Sequence, residues 1–158
     1  MYEHLSKRME QVIALANAIA REYGQDYVGT EHLLLAVARE GSGWGAQILR
    51  AHKIDEYRLQ TVVDSLIKKS MEDTWVFGRL PGTPHFRNVV ATAIDEARQL
   101  ESKLVCTEHL LLALSREQGS VAQAALAELG LTPARARETL LRLLDQARSA
   151  ATDNPGTA

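Results

Sequence analysis

The sequence predicts an all-α fold of eight helices in two tandem four-helix repeats related by a pseudo-twofold axis. Three observations carry this. The stretch Thr30-Glu31-His32-Leu33-Leu34-Leu35-Ala36 returns letter for letter as Thr107-Glu108-His109-Leu110-Leu111-Leu112-Ala113, a separation of 77 residues (30 to 107). At the same offset, with no gap, Val12 falls on Val89, Ala16 on Ala93, Ala20 on Ala97, Arg39-Glu40 on Arg116-Glu117, Leu49 on Leu126, Arg58 on Arg135 and Leu66 on Leu143. Apolar residues recur at helical spacing, and no useful length alternates with period two, so strands are not expected. A repeat of this extent is a duplicated structural unit, and units that would each leave an apolar face wet should pack together.

Taken in order, Met9, Val12, Ile13, Ala16, Ile19, Ala20 and Tyr23 give one buried face to a helix from Ser6 to Tyr23, ended by Gly24. Thr30 is placed as the N-cap of a second helix running from about Glu31 to Glu40. Gly41-Ser42-Gly43 breaks it as a flexible connection, a short helix follows over about Trp44 to Ala51, and Asp55 caps a fourth with the stripe Leu59, Val62, Val63, Leu66 and Ile67. That stripe fades at Lys68-Lys69.

The second copy is punctuated more clearly. Thr83-Pro84 is an N-cap with proline at the first helical position, where its missing N–H costs nothing. Thr107 is placed as the next cap, Ser120 caps a short helix ending at Gly130, and Thr132-Pro133 opens the last helix. The expected organisation is one domain over 1–149: repeat one over about 5–69, a linker over 70–82 and repeat two over about 83–149. A disordered polar tail is expected over 150–158. In the linker, Trp75-Val76-Phe77 is expected to cover the junction of the two units, with a docking patch as the alternative.

The chain has 158 residues, 46% of them hydrophobic, enough to bury a core without staples. Formal net charge is −2, so the cationic surplus that drives nucleic-acid or anionic-membrane binding is missing. No long apolar run and no signal-peptide pattern occurs, and the single Cys106 cannot form an internal disulfide. These point to a soluble cytoplasmic protein that binds neither nucleic acid nor membrane and is a monomer on its own.

Catalytic and metal signals fail on context. Cys106-x-x-His109 is half of a metal site at most, and repeat one has Gly29 in place of the cysteine, so His32 and His109 read as hydrogen-bonded structural histidines. Gly41-Ser42-Gly43-Trp44-Gly45-Ala46 follows a helix and not a strand, which removes the dinucleotide-binding reading. Neither a nucleophile elbow nor a Walker motif is present, so no catalytic residue, metal or cofactor is assigned. What the chain does, it is expected to do by binding.

Two four-helix units, each opening its second helix with Val28-Gly29-Thr30-Glu31-His32-Leu33-Leu34 or Val105-Cys106-Thr107-Glu108-His109-Leu110-Leu111 and continuing to Arg39-Glu40-Gly41 or Arg116-Glu117, resemble the Clp repeat domain. That domain lies at the N-terminus of ClpA- and ClpC-type AAA+ unfoldases, and the likeness spans about Leu5 to Ala147. It implies a module that binds substrates or adaptor proteins and works with Clp ATPase and peptidase subunits. A stand-alone accessory subunit of the Clp peptidase core is the alternative it leaves open. It also implies phosphoarginine recognition through the acidic residue of each motif, here Glu31 and Glu108. The departures are Cys106 where copy one has Gly29, Glu101 opposite Gly24, and His52-Lys53 opposite Leu129-Gly130.

The residues support such a site physically. A helix N-terminus offers free N–H groups and the positive end of the macrodipole to a phosphate, which puts Thr30 and Thr107 in the expected site. A flanking carboxylate can accept charge-assisted hydrogen bonds from a guanidinium-type group. A glutamate in the first turn is also favourable with no ligand at all.

Overall fold

The computed structural model describes residues 4–25, 27–73 and 83–152. They form eight helices: α1 Lys7–Glu22, α2 Thr30–Glu40, α3 Trp44–Ala51, α4 Glu56–Asp73, α5 Pro84–Gln99, α6 Thr107–Arg116, α7 Val121–Glu128 and α8 Pro133–Thr152. Helix α4 continues through Asp73 although its apolar stripe fades at Lys68, and α8 continues to Thr152, so each runs into segments expected as linker and tail. Trp75-Val76-Phe77 lies outside the described residues.

Four helix starts follow the expected side chains, and Ser6, expected as the first residue of its helix, caps a fifth. Ser6 accepts the Met9 N–H at 3.1 Å, Thr83 that of Phe86 at 3.1 Å, Asp55 that of Arg58 at 2.7 Å, Ser120 that of Gln123 at 3.1 Å and Thr132 that of Arg135 at 3.2 Å. Each oxygen satisfies a donor the helix itself leaves orphaned.

The helix ends account for two departures between the copies. Gly24 and Gly130 close α1 and α7 at φ +69° and +84°, and the equivalent positions on α5 and α3 hold Glu101 at +56° and Lys53 at +59°. At the end of α3, Lys53 N–H bonds Arg50 C=O at 2.9 Å and Ile54 N–H reaches back to Leu49 C=O at 2.9 Å. The same pair of bonds closes α1, α5 and α7. The backbone conformation is thus kept in both repeats, with glycine in one and a side chain tolerated in the other.

Helices α2 and α6 form the centre, and each packs on helices of both repeats. In α2 every residue from Thr30 to Val37 is buried, and in α6 every residue from Thr107 to Ser115. Helix α3 of repeat one packs on α6 and α8 of repeat two, and α4 packs on α7, so the repeats interlock around one shared core. The openings of the copies also cross. Ser6 N–H donates to Val105 C=O at 3.0 Å, and its repeat equivalent Thr83 donates to Val28 C=O at 3.3 Å.

Among the described residues one carboxylate is fully buried in this core. Glu96 is 0% exposed and is held by Arg116 and Arg137. Its repeat-one equivalent is the fully buried Ile19. A buried carboxylate needs such partners, because removing it from water alone is costly.

Candidate functional site

Thr30 and Thr107 do not cap their own helices. They stand one residue inside, at the first helical position, and the N-caps are Gly29 and Cys106. The orphan Gly29 N–H is taken by the His32 ring, with Nδ1 accepting at 2.8 Å, and the Cys106 N–H is taken by His109 Nδ1 at 2.8 Å. An accepting Nδ1 leaves the proton on Nε2, which in His32 donates to Gln25 Oε1 at 2.5 Å. The histidines of the motif are therefore neutral structural acceptors. Burial pushes the His32 pKa down to about 4, and burial lowers that of His109 against the opposing pull of Glu96.

The two threonine hydroxyls cap across the pseudo-twofold axis instead. Thr107 Oγ1 accepts the Gly45 N–H at the start of α3, at 3.1 Å, and Thr30 Oγ1 accepts the Ala122 N–H at the start of α7, at 3.2 Å. Both threonines are 2% exposed. The glycines before α3 permit this approach: a Cβ on Gly43 would lie 2.3 Å from Thr107 Oγ1, and one on Gly45 would lie 2.7 Å from the Thr107 carbonyl oxygen. The segment expected as a flexible connection is thus a close-packed seam.

Glu31 and Glu108 follow directly, at 6% and 8% exposure. Burial raises both carboxyls above the usual carboxylate range, while each residue's own backbone N–H pulls the other way. A basic residue of the opposite repeat also pulls each carboxyl back down, His85 at Glu31 and Arg8 at Glu108. Arg8 and His85 are themselves equivalent at the 77-residue offset, each at the second helical position of its repeat. The sequence reading missed this pair, although the offset that aligned the motifs also aligns them.

The two carboxylates are not in identical settings. Glu31 folds back over its N-cap, where a Cβ on Gly29 would lie 2.2 Å from Oε1. Cys106 occupies the equivalent place before Glu108, so that carboxylate cannot use the same space. Burial and the neighbouring Glu108 push the Cys106 thiol up, away from the thiolate a nucleophile needs. Among the described residues no group of three or more His, Cys, Asp or Glu could hold a metal ion, and no helix is long and apolar enough to cross a membrane. An open cleft of about 530 Å³ lies between α1 and α2, lined by Gln11, Ala14, Leu15, Arg39 and Glu40, and neither Glu31 nor Glu108 lines it.

The chain matches the family model of the Clp repeat (R) N-terminal domain over residues 4–114 and again over 81–157. It is 38% identical over 144 residues to the negative regulator of genetic competence ClpC/MecB of Bacillus subtilis, a match spanning 91% of the chain and 17% of that protein. It is 36% identical over 151 residues to the chaperone protein ClpB of Oceanobacillus iheyensis, spanning 96% of the chain and 18% of that protein. The N-terminal domain of the caseinolytic protease associated chaperone ClpD from Arabidopsis thaliana has a similar structure, with a TM-score of 0.70 at 19% identity, covering 92% of this chain and 97% of that one. The Hsp104 N-terminal domain from Candida albicans gives a TM-score of 0.67 at 14% identity, covering 89% and 91%. At these identities the two solved structures show the shared fold.

Proposed function

The chain belongs to the Clp repeat N-terminal domain family, and from that premise we propose that it is a recognition module receiving substrate or adaptor proteins for a Clp AAA+ machine. Family members are non-catalytic modules that bind adaptors and substrates. The ligand chemistry we assign is a phosphoarginine-type group: Glu31 and Glu108 accept hydrogen bonds from its guanidinium-type N–H donors, and the helix starts favour its phosphoryl group.

The observation that carries this reading is the duplicated placing of a buried carboxylate at the start of a central helix, Glu31 on α2 and Glu108 on α6, at 6% and 8% exposure. Two carboxylates kept in buried positions at a cost in desolvation call for a use, and a carboxylate beside the positive end of a helix suits a ligand that carries both charge signs. Thr30 and Thr107 belong to the site by position; their hydroxyls are engaged across the repeat interface, and the part left to them is the backbone of the first turn.

Calorimetry with a phosphoarginine peptide tests the reading. Wild type should bind, and the double variant Glu31→Ala/Glu108→Ala should lose that binding while keeping its helical circular dichroism. Equal affinity in the two proteins overturns the assignment.

A further inference from the structure

The two motif copies stand on the same frame and differ at the N-cap in one side chain. Gly29 (φ −111°, ψ 179°) and Cys106 (φ −114°, ψ 174°) share an extended backbone, and a histidine ring accepts each N–H at 2.8 Å. Cys106 shows that a side chain fits this conformation, so the backbone does not require glycine at position 29. The space around it does. The three heavy atoms that a Cβ on Gly29 would approach most closely all belong to the Glu31 carboxyl group, with Cδ at 2.9 Å. Glu31 thus lies against the bare face of its own N-cap. In repeat two that face carries the Cβ of Cys106 and a half-buried thiol, which donates to the Leu104 carbonyl oxygen at 3.7 Å.

We propose that the N-cap residue sets the affinity of each site for a guanidinium-bearing ligand: Gly29 makes the Glu31 site the stronger, and Cys106 makes the Glu108 site the weaker. This rests on the reading of Glu31 and Glu108 as ligand-binding carboxylates. Both are buried, and among the described residues neither carboxylate accepts a hydrogen bond from another residue. Each can therefore take a ligand's N–H donors without breaking a bond to a neighbour. A planar guanidinium meets a carboxylate edge-on through two parallel N–H bonds, which needs clear space in the carboxylate plane. The bare face of Gly29 leaves that space beside Glu31. At Cys106 the Cβ and Sγ stand in it, so Glu108 is kept from the position Glu31 takes and an incoming guanidinium must clear the thiol. The helix that would receive the phosphoryl group opens with the same Thr-Glu-His in both copies, so the difference falls on the guanidinium end.

The test isolates each site with a single variant. Glu108→Ala leaves the Glu31 site, and Glu31→Ala leaves the Glu108 site. Calorimetry with a phosphoarginine peptide under reducing conditions should give about tenfold tighter binding to Glu108→Ala than to Glu31→Ala, the scale of one charge-assisted hydrogen bond. Adding Gly29→Ala to Glu108→Ala should cost about tenfold in affinity, and adding Cys106→Gly to Glu31→Ala should gain about tenfold, on the same scale. Thermal unfolding is the folding control, and Cys106→Gly carries the test without crowding any position because it only removes atoms. A gain of affinity there is a readout that a merely structural role for the N-cap would not produce. Equal affinity at the two isolated sites overturns the proposal, and so does Cys106→Gly with no gain. Wild-type affinity in the Glu31→Ala/Glu108→Ala double variant overturns the parent reading, and this one with it.

Discussion

Thr107 Oγ1 accepts the backbone N–H of Gly45 at 3.1 Å, so the first side chain of the repeat-two motif caps a helix of repeat one. The reciprocal bond from Ala122 to Thr30 makes the same exchange in the other direction at 3.2 Å. The duplicated sequence is therefore also a mutual latch, and expected outcomes follow from it, from the titratable groups beside it and from the helix ends of the two repeats.

Gly45→Ala should destabilise the protein by about 1–3 kcal/mol, because its Cβ would lie 2.7 Å from a backbone carbonyl that the start of α6 holds in place. Thr107→Val, which keeps the shape and removes the acceptor, should cost about 1–3 kcal/mol through the orphaned Gly45 N–H, and Thr107→Ser should cost less. Urea unfolding midpoints at constant slope check all three.

Glu31→Gln and Glu108→Gln should each stabilise the fold at neutral pH. Burial raises both folded-state pKa values, so the folded form takes up protons more readily than the unfolded chain, and stability is lost as pH rises through the folded value. Removing the charge removes that loss, on the order of 1 kcal/mol on the scale of a buried polar group. The gain should shrink as pH falls into the carboxylate range. A variant less stable than wild type at neutral pH contradicts the desolvation account.

His32 works in the opposite sense. Its folded pKa of about 4 lies below the ordinary value of 6.5, so the unfolded chain protonates first on acidification. The stability from the neutral ring is fully present above about pH 6.5 and is lost as pH falls toward 4, at up to ~1.4 kcal/mol per pH unit. His109, also lowered, adds to the same slope. Glutamine can reach back from the same helical position to the N-cap N–H, so His32→Gln should flatten the acid limb of a stability-against-pH curve.

Lys53→Gly and Glu101→Gly should stabilise by ~0.5–1 kcal/mol each, since both residues hold left-handed backbone that glycine adopts without steric cost. Gly24→Ala and Gly130→Ala should destabilise by about as much for the same reason. Thermal unfolding of the four variants decides it.

The sequence by itself determined the fold class, the eight helices and the repeat register, because helical periodicity and side-chain caps are local and the 77-residue duplication records the pairing of the copies. It also brought out Glu31 and Glu108, since a doubled helix opening stands out without any coordinates. It misassigned Thr30 and Thr107, because a threonine at a helix start reads as a local cap and nothing local shows that α3 and α7 arrive with unsatisfied N–H groups of their own. Only the tertiary structure decided that His32 and His109 take over the capping and that the glycines around Trp44 serve close approach. It also brought His85 and Arg8 of one repeat within electrostatic reach of Glu31 and Glu108 of the other. The physical reason is common to all of these: they are contacts between residues far apart in the chain, formed when two amphipathic units bury their faces in one core.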